Sequence, residues 1–376
     1  MTQFITKLAE ISRLDQAERM RLENVAIKYA FRSNEYYLSL IDWNDPDDPI
    51  RRLILPHPGE LEEWGRLDPS DEKAYTRIAG LEHKYNSTVL LLVSNVCGGI
   101  CRFCFRKRVF LDGSRGSEVL RDLDAALDYI RQHTEVTNVL LTGGDPLMLT
   151  TEKLDRMISE LRRIEHVRII RIGSKMPAFN PHRIIDDPAL LEMINRHTLP
   201  DRKIYVMTHF NHPRELTDAA ISGCNLLGRA GALLANQTPM IRGVNDRPEV
   251  LAELFRKLSF VGVPPYYVFQ CRPAVANKAY AVPIEEGYQI FERAKALVSG
   301  LAKRARFVMS HATGKIEIIG LAHDRVYFKY HRAANDGDSG RFLAYQRNGD
   351  AFWFDDYEET VRDYPVTEPY RLHGPE

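Results

Sequence analysis

The chain has 376 residues and a mass of 43.2 kDa, enough for a large core in one domain with extensions or in two domains. Its 51 Lys and Arg balance its 51 Asp and Glu, so no global charge points to a nucleic acid or a membrane as a partner. The first residues lack the apolar core of a signal peptide, and the longest aliphatic run, residues 89–93, is far too short to span a membrane. We therefore expect a cytoplasmic protein.

The predicted elements change character near residue 86. Residues 1–85 are predicted to form a mostly helical N-terminal extension with a turn-rich stretch at 42–49. After it, short apolar runs alternate with helical periodicity, which predicts βαβ units and a parallel sheet. The predicted strands are 88–93, 138–141, 169–173, 204–208, 232–237 and 266–271, and the amphipathic helices between them include 119–132, 151–164 and 248–258.

Six such units predict an α/β fold, a partial (β/α)6 barrel of the TIM type over residues 86–305. In parallel barrels the chemistry collects at the carboxyl ends of the strands. Residues 306–376 read as a β-rich tail, with predicted strands at 325–330, 341–345 and 351–354 and turn residues at 333–340. We expect this tail to cover the open side or the bottom of the barrel.

Three of the five cysteines lie after the first predicted barrel strand, in Cys97-Gly-Gly-Ile-Cys101-Arg-Phe-Cys104. Thiolates are soft ligands that suit iron–sulfur clusters, and three of them leave one iron of a [4Fe–4S] cubane without a protein ligand. That open iron can bind the amine and the carboxylate of S-adenosylmethionine (SAM). A structural zinc site would need a fourth ligand, and a chain of this length needs no disulfides for its core. The spacing resembles the signature of radical SAM enzymes; a chance group of structural cysteines is the alternative.

Other strand ends carry candidate cofactor ligands, namely Gly143, Gly144, Asp145, Ser174, His209 and Gln237. The two glycines allow a ligand to approach the backbone closely and offer N–H donors, although a simple Gly-Asp-Pro turn fits the local sequence equally well. We predict that His209 contacts a cofactor or the substrate and that His212 is structural. Lys315 can form a Schiff base with pyridoxal phosphate (PLP), although a solvated lysine is the ordinary interpretation.

Taken in order, these motifs resemble the lysine 2,3-aminomutase family of radical SAM enzymes from about Tyr36 to Cys271. They are YYLSLI at 36–41, GLxHxY at 80–85, the cysteine loop, GGD at 143–145, RIGS at 171–174, THFNHP at 208–213, NQ at 236–237, RGVND at 242–246 and PYYxxQC at 265–271. The resemblance implies that reductive cleavage of SAM gives a 5′-deoxyadenosyl radical. It implies that this radical takes a β-hydrogen from an amino acid held by PLP, whose nitrogen then migrates from Cα to Cβ. An electron donor such as flavodoxin or ferredoxin is implied as well; the oligomeric state is open, with a homodimer as one candidate.

The departures from the family pattern concern PLP first. Residues 310–315 match the segment of the family's PLP lysine, but the segment is shorter and has one glycine. Either Lys315 is the PLP lysine after a shortened loop, or that loop is deleted and Lys315 is unrelated. Lys84 and Thr88 stand where the family has two phosphate-binding arginines, and Tyr85 between them is kept.

The predicted substrate pocket departs as well. Arg106 matches the family arginine that holds the substrate's α-carboxylate, whereas Arg272 and Ser310 stand where the lysine enzyme has aspartates for the side-chain ammonium. An arginine repels an ammonium group and binds a carboxylate, so we expect a substrate other than lysine, with an acidic side chain preferred. The family's zinc ligands are replaced, since Arg247 follows Asp246 and the tail has no cysteine; we expect no zinc.

Three other functions stay open. One is a PLP-independent radical SAM enzyme of the same fold. The second is a 2,3-aminomutase that modifies a lysine destined for a protein, against which the charge of Arg272 argues. The third is a non-enzymatic iron–sulfur electron carrier, which the missing fourth cysteine and the loop at 143–145 disfavour.

Overall fold

The computed structural model describes residues 3–110, 118–358 and 360–364. The strands are β1 Phe4–Ile5, β2 Ser33–Asn34, β3 Thr76–Ile78, β4 Leu81–Tyr85, β5 Thr88–Ser94, β6 Asn138–Gly143, β7 Ile169–Ser174, β8 Ile204–Thr208, β9 Leu233–Pro239, β10 Pro265–Phe269, β11 Arg306–His311, β12 Gly314–Leu321, β13 Arg325–Ala333, β14 Phe342–Gln346 and β15 Thr360–Tyr364. The α-helices are α1 Gln16–Lys28, α2 Glu35–Leu38, α3 Pro49–Ile54, α4 Glu72–Tyr75, α5 Leu123–Gln132, α6 Thr151–Arg162, α7 Met176–Phe179, α8 His182–Ile185, α9 Pro188–His197, α10 Asp218–Arg229, α11 Pro248–Phe260 and α12 Ile284–Ala296.

Strands β5 to β11 form the centre of the fold, and each pairs in parallel with the next. One or more helices lie between successive strands of this set, which makes six β-helix units followed by β11. The predicted partial (β/α)6 barrel is therefore confirmed, with all six predicted strands present within a few residues of their expected bounds. No helix in the described ranges combines the length and the apolar character needed to cross a bilayer.

The helix α5 shows how local sequence sets the element bounds. The prediction began this helix at residue 119, but it begins at Leu123 because the Asp122 carboxylate accepts the Ala125 N–H and caps the first turn. Its predicted apolar face is buried at Leu127 and Ile130. The helix thereby packs one stripe against the sheet and leaves the other side to solvent.

Both edges of the parallel sheet continue with antiparallel strands, giving one 13-stranded sheet from β3 to β15 in chain order. The antiparallel pairing of β13 with β14 agrees with the predicted hairpin of the tail. Residues 351–354 are not a strand, so that prediction was wrong. The carboxylate of Asp356 accepts the N–H groups of Phe352 and Trp353, which uses donors that a strand would pair. Strands β3 and β4 also replace helix that was predicted in the extension.

Side-chain hydrogen bonds join the two antiparallel edges across the open side of the barrel. On one side lie the helix α4 and the strand β4, and on the other the hairpin between β11 and β12. The Lys84 ammonium donates to the carbonyl of His311, and the Tyr75 hydroxyl donates to the carbonyl of Ala312 at 2.9 Å. The first strands of the sheet and the C-terminal hairpin therefore bound the same interior space.

Candidate active site

A cavity of about 660 Å³ lies at the carboxyl ends of the parallel strands. Every site residue that the sequence predicted lines it: Cys97, Cys101, Cys104, Gly143, Gly144, Asp145, Ser174, His209, Gln237, Lys84, Tyr85, Arg106, Arg272, Ser310 and Lys315. The fold thus brings together residues that lie more than 200 positions apart. Their common location is observed, whereas their individual roles remain predictions.

The cysteine loop follows β5 and is held in place by a buried ion pair. Arg102 is 1% exposed, and its guanidinium donates to both carboxylate oxygens of Glu60 at 2.9 and 2.7 Å. This bidentate pair fixes the middle of the loop while the flanking thiols line the cavity.

The chemistry of the three thiols suits a cluster more than free cysteines. Burial raises the pKa of all three thiols, that of Cys101 to about 12, so an adjacent metal cation would be needed to hold them as thiolates. Among the described residues, no three His, Cys, Asp or Glu side chains converge as the ligands of one metal ion would. A [4Fe–4S] cubane binds each thiolate to a different iron and does not require such convergence. Cys97, Cys101 and Cys104 are therefore suited to hold three of its irons.

The glycine loop after β6 is packed tightly against the start of the cysteine loop. A Cβ atom on Gly143 would lie 2.3 Å from the Ser94 carbonyl oxygen, and one on Gly144 would lie 2.4 Å from that of Val96. The N–H groups of Gly144 and Asp145 donate to these same two carbonyls, so they are not free for a ligand as the sequence suggested. The loop offers carbonyl oxygens instead, which are acceptors for an amine.

Asp145 and Ser174 join two neighbouring strand ends. The Ser174 hydroxyl donates to both Asp145 oxygens at 2.8 and 3.0 Å, and the backbone N–H of Lys175 donates to the same carboxylate at 2.8 Å. Burial raises the pKa of Asp145 to about 6 despite these hydrogen bonds. Both residues line the cavity, but most of their hydrogen-bonding capacity is used to hold the loops together.

His209 directly follows β8 and contributes a neutral imidazole to the cavity wall. Burial, and then the charge of Lys175, lower the pKa of His209 to about 3. Its ring centroid lies 6.2 Å from that of Phe103, inside the cysteine loop. The neighbouring His212 accepts the Arg214 N–H at 3.2 Å, a structural turn as predicted.

Lys315 lies on β12, opposite Ser310 of β11. Its Nζ is 5.3 to 5.8 Å from the ring centroids of Phe269, Tyr267 and Tyr85. Burial, and then neighbouring cations led by Arg272, lower the pKa of Lys315 well below its ordinary value. Both effects favour the neutral amine, which is the form that attacks a carbonyl.

The cations around Lys315 lack acidic partners. Lys84, Arg171, Arg272 and Arg332 all line the cavity, and none has a carboxylate within 4.0 Å among the described residues. Burial lowers the pKa of Lys84 to about 8. Sequence reasoning did not identify Arg332, because no motif surrounds it and only the strand register brings it to the cavity.

Two carboxylates that the sequence analysis passed over also line the cavity. Arg106 donates to Glu72 in three contacts of 2.7 to 3.0 Å. Burial alone would raise the pKa of Glu72, but the charge and hydrogen bonds of Arg106, together with the charges of Arg108 and Arg272, outweigh it and lower the pKa to about 2. Burial, and then the charge of Glu72, raise the pKa of Glu82 to about 8. Arg106 is thus already neutralised in the ligand-free protein.

Arg272 differs from Arg106 in having no such partner. Its guanidinium carbon lies 3.6 Å from the ring centroid of Phe105, and its buried Nη1 has no hydrogen-bond partner. Burial lowers the pKa of Arg272 to about 10, so the group stays charged near pH 7. An anion that enters the cavity would find an arginine with an unused donor.

Comparisons with known proteins agree with the site. Residues 91–255 match the sequence pattern of the Radical SAM superfamily. A protein of Aquifex aeolicus named "Putative L-lysine 2,3-aminomutase" is 54% identical over 96% of this chain and 96% of its own length. The L-lysine 2,3-aminomutase of Clostridium subterminale is 40% identical over 70% of this chain and 62% of its own length. The glutamate 2,3-aminomutase of Clostridioides difficile is 33% identical over 79% of this chain and 69% of its own length.

Proposed function

The chain belongs to the lysine 2,3-aminomutase family of radical SAM enzymes, and from that premise we propose that it moves the amino group of an acidic amino acid from Cα to Cβ. Family membership implies a [4Fe–4S] cluster and SAM. The proposal adds the substrate class, with glutamate or a similar acid preferred over lysine, and PLP carried by Lys315.

The observation that carries the substrate class is the unpaired guanidinium of Arg272. An arginine without a partner in a cavity is costly, and an incoming carboxylate would supply that partner. The alternative is that Arg272 forms an ion pair with a carboxylate of the chain itself. No Asp or Glu of the described residues lies within 4.0 Å of Arg272, although Glu72 and Glu82 are near enough to raise its pKa against burial. Relatives named for lysine and for glutamate both exist, so the cavity charge is what favours the acid.

The support for PLP comes from the surroundings of Lys315. Its amine, whose neutral form is favoured by burial, lies among three aromatic rings, which can stack on a pyridine ring. The cations around it have no acidic partner and are suited to an anionic cofactor. These features favour the interpretation of Lys315 as the PLP lysine over a deleted loop.

The residues of this chain would bind, orient and shield. When bound, the cluster and SAM supply a carbon radical, and PLP supplies a carbonyl for the substrate amine and a ring that delocalises an unpaired electron. Cys97, Cys101 and Cys104 hold the cluster, while the neutral His209 forms part of the adjoining wall. Arg272 would bind the side-chain carboxylate, which orients the substrate's β-carbon. An external one-electron donor, such as flavodoxin or ferredoxin, would supply the electron that cleaves SAM.

The test is a substrate screen with the anaerobically reconstituted protein. Glutamate, aspartate and lysine are incubated separately with SAM, PLP and a reductant, and the β-amino acid product is measured by mass spectrometry. The proposal expects an acidic substrate to react fastest. Faster turnover of lysine than of either acid would overturn the substrate assignment.

Borohydride reduction of the PLP-loaded protein tests the second part. The reduced adduct should map to Lys315, and Lys315→Ala should lose the adduct while it keeps the iron–sulfur absorbance. Lys303→Ala, which alters an exposed lysine of the short 3-10 helix Gly300–Lys303 outside the cavity, is the control. An adduct on another lysine would contradict this role, and no adduct in the parent would favour the PLP-independent enzyme.

A further inference from the structure

Arg332 and Lys315 lie side by side on the C-terminal part of the sheet. The antiparallel strands β12 and β13 pair Lys315 directly with Arg332, so both side chains extend from the same face. Arg332 extends to the first edge of the sheet, where its Nη2 donates to the hydroxyls of Ser87 and Thr88, both at 2.8 Å. Its guanidinium carbon lies 4.4 Å from the ring centroid of Tyr85.

The charges around Arg332 favour the binding of an anion. Arg171 lines the same cavity, and burial, together with the charge of Arg332, lowers the pKa of Arg171. Neither arginine has a carboxylate within 4.0 Å among the described residues, and their recorded side-chain acceptors are the neutral oxygens of Asn138, Ser87 and Thr88. Two guanidinium groups that repel each other would be stabilised by an anion of nearly two charges, such as a phosphate monoester.

We propose that Arg332, assisted by Arg171, binds the phosphate of the PLP that Lys315 carries. The inference rests on the proposed function, because it needs PLP on Lys315. Arg332 would supply from the C-terminal tail the arginine that this chain lacks at Thr88, whose hydroxyl it contacts.

The shape of PLP fits this arrangement. The aldehyde carbon and the phosphate-bearing carbon are neighbouring substituents on the pyridine ring, so the amine and the phosphate-binding cation must lie only a few ångströms apart. The Cβ atoms of directly opposed residues on an antiparallel pair lie about 5 Å apart, which meets that requirement. Tyr85 lies next to both side chains, 4.4 Å from Arg332 and 5.8 Å from Lys315, and can pack on the ring between them.

The test compares PLP with pyridoxal, which has the aldehyde but no phosphate. Dissociation constants for both are measured by absorbance on the reconstituted full-length protein, and borohydride trapping reports the attachment site. Arg332→Ala should weaken PLP binding by ~10- to 100-fold and leave pyridoxal binding unchanged. Arg325→Ala removes an arginine of the same strand that pairs with Asp324, and it should change neither constant.

A second variant distinguishes the loss of a phosphate contact from a folding defect. In Thr88→Arg/Arg332→Ala the guanidinium returns to the same space from β5, so the preference for PLP over pyridoxal should recover. If Arg332→Ala binds PLP as tightly as the parent does, the phosphate role of Arg332 is wrong. If Arg332→Ala loses both ligands, recovery in the double variant supports the role and failure to recover refutes it. Absence of any adduct on Lys315 of the parent would refute the proposed PLP function itself, and this inference with it.

Discussion

Arg106 and Arg272 are both guanidinium groups on the cavity wall, yet only Arg106 has a carboxylate partner. Arg106 is bound by Glu72, whereas Arg272 lies on the Phe105 ring with one donor unused. A substrate α-carboxylate that binds Arg106 would have to share it with Glu72. The proposed preference for an acidic substrate therefore rests on the unshared charge of Arg272.

Replacement of Arg272 by aspartate tests this discrimination. Arg272→Asp removes the attraction for a substrate carboxylate and adds a repulsion. The transition-state binding free energy derived from kcat/KM for the acidic substrate should therefore weaken by ~2–5 kcal/mol. Arg272→Lys keeps the charge and should lose less. Steady-state kinetics that show parental turnover of the acid by Arg272→Asp would exclude Arg272 as the specificity residue.

Glu82 makes a pH-dependent prediction. Burial, and then Glu72, raise its pKa from 4.5 to about 8, so the folded protein keeps a proton that the unfolded chain releases above pH 4.5. The raised pKa therefore adds a contribution to the free energy of unfolding that is fully present below pH 4.5 and is lost as the pH rises through about 8. Glu82→Gln has no such proton to lose, so its free energy of unfolding should not show this decline. The difference in free energy of unfolding between variant and parent, measured with urea, should be larger at pH 9 than at pH 6 by on the order of 1–3 kcal/mol. Parallel pH profiles for parent and variant would contradict the raised pKa.

The elements of the barrel could be predicted because their periodicity is local, whereas the edges of the sheet could not. The six predicted barrel strands are short, mainly apolar runs between amphipathic helices, and each contributes buried side chains to the core. Strand β4, between β3 and β5, instead carries Glu82 and Lys84, and nothing in its sequence distinguishes it from loop or helix. The position of Arg332 depends on the register between β12 and β13, which is set by long-range pairing. The partner of Arg106 was also not predicted because the contact is long-range: Glu72 lies 34 residues upstream on α4.

The link between the cysteine loop and the N-terminal extension can be tested by breaking its ion pair. Glu60→Ala would leave Arg102 charged and buried without a carboxylate, which typically costs ~3–5 kcal/mol. The apo protein should therefore unfold at a markedly lower temperature and take up less iron on reconstitution. Glu62→Ala removes an exposed carboxylate two residues away and serves as the control. Equal unfolding temperatures for the two variants would show that the pair does not stabilise the loop.

At the scale of the whole molecule, one cavity is bounded by both ends of the sheet. The cysteine loop follows the first parallel strand, and Lys315 lies just beyond the last one. Contacts of Tyr75 and Lys84 with the C-terminal hairpin join the two sides across the barrel's opening. A radical generated at the cluster and an amino acid held at Lys315 would therefore share a single cavity, as hydrogen transfer between them requires.

Deuterium transfer tests directly whether a radical formed from SAM takes a hydrogen from an amino acid in the same cavity. The amino acid that best supports turnover is labelled with deuterium at Cβ and incubated with SAM, PLP, a reductant and the reconstituted protein. For the parent, deuterium should appear in 5′-deoxyadenosine and in the recovered SAM. No SAM cleavage is expected for Cys101→Ala, which removes a proposed cluster ligand, and parental cleavage is expected for Cys224→Ala, which alters a buried cysteine outside the loop. Cleavage of SAM by the parent without any transfer of deuterium, or full cleavage by Cys101→Ala, would contradict these predictions.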